Sequence, residues 1–119
     1  MSFQHQQLAN GRWRQLSLIE QLANVGSEVF RALNWQQKDN SAYSHQAALR
    51  ALELLSLTID DPKNHNHRLK ELTRLYEVLV DYFFGKNQYR SSPKLWQNYF
   101  YPFNYAAALQ RKNSSLRQR

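Results

Sequence analysis

A chain of 119 residues with 42% apolar content is long enough for one domain around a single core and too short for two. It has no cysteine, which excludes disulfide staples, thiolate catalysis and cysteine-ligated zinc, and its Gln-rich start lacks the apolar run of a secretory leader, so a cytoplasmic setting is expected. The net charge of +7 is unevenly placed: cations and carboxylates balance from Met1 to Asp81, and no carboxylate follows Asp81.

Residues 1–16 read as a flexible leader. The first helix is predicted from Ser17, because Ser17 and Glu20 have the spacing of a capping box, each side chain satisfying the other's free amide. Ile19, Leu22, Gly26, Val29 and Leu33 then form an apolar stripe that ends near Gln37. Glycine inside a helix costs about 1 kcal/mol relative to alanine, so Gly26 is expected to be a notch where a neighbouring helix comes close.

The second helix is predicted from about Ser41 to Ile59, with Ala48, Leu52, Leu55 and Ile59 on one line and Ala47, Ala51 and Leu54 widening it. As the most apolar helix it is expected to be the most buried. Asp60, Asp61 and Pro62 end it, and the chain through His67 reads as a solvated connection.

Leu69, Leu72, Tyr76, Leu79 and Phe83 predict a third helix from about Arg68 to Phe84, with Gly85 as a left-handed C-terminal cap. The fourth is predicted to start with Ser92 as N-cap and Pro93 in the first turn, and to turn Trp96, Phe100, Phe103 and Ala107 inward. Pro102 lacks an amide hydrogen and is expected to kink or split this helix between Tyr101 and Tyr105. After Gln110 the apolar pattern stops, and residues 111–119 read as a frayed basic tail. Four amphipathic segments with short connections predict an all-α, up-down-up-down four-helix bundle over residues 17–110. The longest uncharged run, Leu95 to Gln110, falls short of the roughly 20 apolar residues needed to span a bilayer.

From Tyr82 onward the cations Lys86, Arg90, Lys94, Arg111, Lys112, Arg117 and Arg119 are interleaved with most of the chain's aromatic rings. Cations neutralise phosphates and flat rings stack on bases, so RNA or DNA, bound with low sequence specificity, is the leading partner. The candidate binding set is Lys94, Arg111, Lys112, Arg117 and Arg119 with Tyr101 and Tyr105. Arg12 and Arg14 join it, because an antiparallel bundle places the start of helix one beside the end of helix four. Tyr99, Tyr101 and Tyr105 cannot all face inward, and exposed tyrosines equally suit contact with another subunit. A self-assembling or protein-binding module, a homo-oligomer with no nucleic-acid role, is therefore the alternative. A peripheral membrane-surface role is a third reading.

Neither a catalytic residue nor a cofactor is expected. The three glycines stand too far apart for a phosphate loop, Ser27 beside Glu28 lacks a neighbouring histidine, and Arg31, Arg50 and Arg74 are not followed at short spacing by the histidine that small helical RNases of the HEPN type carry. Asp60 to His67 contains metal-ligand types without the supporting partners that fix three or four donors, and no metal site is assigned to it.

With four helices, strong basicity and no cysteine, the chain resembles, over about Ser17 to Gln110, small bacterial four-helix-bundle proteins such as those encoded in ribosomal RNA intervening sequences and the accessory proteins of diversity-generating retroelements. The segment Leu16 to Val29, LSLIEQLANVGSEV, looks like a family signature of bacterial proteins and implies no activity by itself. The bundle resemblance implies a non-enzymatic scaffold that assembles into a ring of subunits and presents a basic surface to nucleic acid or to a polymerase.

Overall fold

The structure, a computed structural model, describes residues 11–117. Among these residues it is all-α, with helices α1 (Leu18–Gln37), α2 (Ser41–Asp60), α3 (Leu69–Phe84) and α4 (Pro93–Arg117), single 3-10 turns at Arg12–Gln15 and Pro62–Asn64, and no strand. None of these helices is long and apolar enough to cross a membrane.

The N-caps predicted at Ser17 and Ser92 form. Ser17 accepts from the Glu20 amide at 3.2 Å, and the Glu20 carboxylate accepts from the Ser17 amide at 3.1 Å, completing the box that starts α1. Asn40 caps α2 by accepting from the Tyr43 amide at 3.0 Å, and Ser92 caps α4 by accepting from the Leu95 amide at 3.1 Å. Gly85 departs from expectation: its φ of −108° is not left-handed. The turn after α3 is held instead by the Asp81 carboxylate, which accepts from the Gln88 and Tyr89 amides at 2.9 and 3.0 Å, while Asn87 and Arg90 take the positive φ values.

Pro102 does not split α4, which runs unbroken from Pro93. The helix also continues through 111–117, where loss of the apolar pattern suggested a frayed end. Within the segment read as a leader, Trp13 is buried. Residues 1–10 lie outside the described part.

α1 packs against α2 on one side and α4 on the other, and α2 packs against α3. The central position is therefore shared by α1 and α2 and is not held by α2 alone. Partners along α1 and α2 run in opposite senses, with Ser44 Oγ donating to the Ala32 carbonyl and Arg50 pairing with Glu28. The same holds for α1 and α4, where Gly26 meets Phe100 and Ser17 meets Gln110. Leu22, Val25 and Val29 of α1, Ala51 and Leu55 of α2, Leu72 and Leu79 of α3, and Trp96 and Phe100 of α4 form the core. Burying such side chains contributes about 1.5–3 kcal/mol each.

Candidate nucleic-acid interface

The N-terminal cations are positioned by a buried polar network. Gln21 falls on the Val25–Val29 line of α1 and is fully buried, and its amide donates to the Trp13 carbonyl at 3.1 Å and to Asp61 Oδ2 at 2.9 Å. The Trp13 indole donates to Thr58 Oγ1 at 3.1 Å, and Asn64 donates to Gln21 Oε1 at 3.0 Å. Lys63 closes the set by donating to the Asp61 carboxylate and to the Arg14 carbonyl.

The chain from Asp61 to Asn64 is therefore more than a solvated link, because Asp61 and Asn64 are both buried. Burial alone raises the Asp61 pKa. Hydrogen bonds from Lys63 and Gln21 outweigh it and leave the carboxyl below its ordinary range. With Trp13 locked inside, Arg12 and Arg14 project into solvent from the turn.

Rotation of α4 is set by Trp96, Phe100 and Ala107, all buried. Opposite them, Tyr101 and Tyr105 are 65% and 59% exposed. Lys94, Tyr101, Tyr105 and Lys112 follow at intervals of seven, four and seven residues, which at about 3.6 residues per turn keeps all four on one outward strip. Leu109 and Leu116 lie on the same side and are exposed. No carboxylate occurs on this helix.

The predicted cations do not form one cluster. Ser17 Oγ donates to Gln110 Oε1 at 3.4 Å, so Arg12 and Arg14 share an end of the bundle with Arg111 and Lys112. The first pair leans on α2; of the second, Arg111 turns toward α1 while Lys112 stays on the outward strip. Lys94 sits at the other end, about 27 Å of helix away from Lys112. Arg111 is turned about 100° from the Tyr101 strip and lines a cleft against α1 with Asn24, Ser27 and Asn104. Arg117 ends α4, and Arg119 lies outside the described residues.

Tyr99 and Tyr82 have structural work. Tyr99 lies between α4 and α3, and its hydroxyl donates to Glu71 Oε1 at 3.0 Å. Burial foremost, then the Glu71 charge and hydrogen bond, hold its pKa well above the ordinary phenol value. Tyr82 donates to Gln36 Oε1 at 2.9 Å, and burial raises its pKa too, with the Gln36 bond working against that rise.

The sequence reading missed the contribution of α1, whose exposed amides Asn24, Asn34 and Gln37 border α4 clefts. Spacing of three, seven and three residues along Asn24, Ser27, Asn34 and Gln37 carries that signal once the α1–α4 contact is known. No protein-family model matches this chain, and neither a curated protein nor a solved structure does.

Proposed function

We propose that the protein is a non-enzymatic, up-down-up-down bundle that binds single-stranded RNA or DNA, with α4 bending at Pro102. The observation that carries this reading is the pair Tyr101 and Tyr105, one turn apart and exposed on an acid-free helix between Lys94 and Lys112. Stacking on such rings contributes about 1–3 kcal/mol per base, and lysines at either end supply phosphate contacts. Neither contact distinguishes sequence, so the outer face of α4 binds strands generally. Arg12, Arg14, Arg111 and Arg117 add positive field toward one end.

Self-assembly through the same face is disfavoured by its charges. Two copies of α4 paired antiparallel set each Lys94 against the partner's Lys112, and a parallel pair sets like against like, with no carboxylate on the helix to compensate.

The test is the salt dependence of binding to a labelled single strand. Affinity should fall steeply with added salt, and Lys94→Gln with Lys112→Gln should flatten the slope by about two phosphate contacts. Binding that is absent, or indifferent to salt, rejects the proposal.

A further inference from the structure

We infer that the seam between α1 and α4 is a base-reading groove, in which the cleft at Tyr101 accepts an adenine base and the cleft at Arg111 holds backbone phosphate of the same single strand. This rests on the nucleic-acid reading above and adds to it a site and a base preference. Two clefts lie on one flank of the α1–α4 contact. The first, of about 300 Å³, is lined by Phe30, Leu33, Asn34, Gln37, Gln97 and Tyr101. The second, of about 170 Å³, has Asn24, Asn104 and Arg111 among its walls. Register places them together: 97, 101, 104 and 111 follow at intervals of four, three and seven on α4, and 24, 27, 34 and 37 follow at three, seven and three on α1.

The composition of the first cleft suits a flat heterocycle. Tyr101, Phe30 and Leu33 offer a ring face and apolar contact, while Asn34, Gln37 and Gln97 bring three exposed amides to the same opening. An amide presents an acceptor beside a donor, the complement of the N6 and N7 edge of adenine. A free single strand leaves that edge open, and its bases can turn out of the stack to reach it. The second cleft suits the backbone, since Arg111 is its cation. Asn104 forms the wall beside it, with its Oδ1 buried.

Neither cleft has a carboxylate among its lining residues. Glu20 is engaged in the cap of α1, and Glu28 pairs with Arg31 and Arg50. Ten residues of helix separate Tyr101 from Arg111, a rise of about 15 Å. At about 3.4 Å per stacked nucleotide that is four to five nucleotides, so one short strand can occupy both clefts.

The experiment is fluorescence anisotropy with labelled A15, C15 and U15 RNA at matched ionic strength. The expected result is that A15 binds about five-fold or more tighter than either pyrimidine strand. Asn34→Ala combined with Gln97→Ala, both at exposed positions, should bring the three affinities together and leave the salt slope unchanged, whereas Arg111→Gln should weaken all three and reduce the slope by about one phosphate contact. Circular dichroism confirms that each variant keeps the helical fold. Equal binding of the three strands by the intact protein, or an adenine preference that survives the double substitution, overturns the groove while salt-dependent binding keeps the general reading alive. Absence of salt-dependent binding to any strand removes both.

Discussion

Gly26 of α1 lies directly against Phe100 of α4: a β-carbon at position 26 would stand 2.8 Å from the Phe100 Cβ. That distance is backbone-close, so no rotamer change of Phe100 relieves it. Gly26→Ala should gain about 1 kcal/mol of helix propensity and lose more, since overpacking typically costs about 1–3 kcal/mol. α4 would have to move outward. Urea unfolding should show a lower midpoint than the parent, and a higher midpoint would mean that the contact yields without strain.

Asp61 anchors the network that holds the Arg12–Gln15 turn. Asp61→Ala leaves one Gln21 amide hydrogen unpaired and removes the carboxylate partner of Lys63, with an expected loss of about 2 kcal/mol, reduced from a fully buried pair because Lys63 is partly exposed. Denaturant titration measures it. Trp13 fluorescence should also shift to the red as the turn loosens, although Trp35 and Trp96 contribute to the same signal.

Acid sensitivity follows from the same residue. Its folded pKa is below the ordinary 3.8, so its contribution is fully present above that value and is lost as pH falls through the lowered folded value. Stability should decline below about pH 4. Asp61→Asn should lower stability at neutral pH and flatten that acid limb. An unchanged limb would assign acid sensitivity to other carboxylates.

Tyr99 gives the opposite limb. Its pKa is raised above 10.0 in the fold, so its contribution is complete below pH 10 and is lost as pH rises through the higher folded value. Tyr99→Phe removes the bond to Glu71 at a cost of about 1 kcal/mol and should make stability between pH 9 and 11 less dependent on alkali. Thermal melts across that range report it.

Apolar spacing made the helices legible, since the stripes of α1, α2 and α4 and the N-caps of α1 and α4 lie in the sequence at their observed positions. Gly26 could be recognised as a notch because glycine on a buried stripe is costly unless something fills its place. Charge was less informative about position. Lys94 and Arg111 belong to one acid-free segment, yet helix length separates them along the axis and helix rotation turns Arg111 toward α1. The Gln21, Asp61 and Asn64 network was illegible for a different reason. Its partners are about 40 residues apart and polar, and only the fold reveals that they share one buried site. The α1 amides were overlooked similarly, because an exposed Asn or Gln means little until the opposing wall of a cleft is known.

The outward rings of α4 decide whether the strand-binding surface is there. Tyr101→Ala combined with Tyr105→Ala removes two exposed side chains, so folding stability should change by no more than about 0.5 kcal/mol. Anisotropy with a labelled single strand should show affinity reduced at least about ten-fold, with the salt slope of the intact protein retained because the lysines remain. Undiminished affinity in that variant, with the fold intact, would contradict nucleic-acid binding on the outer face of α4.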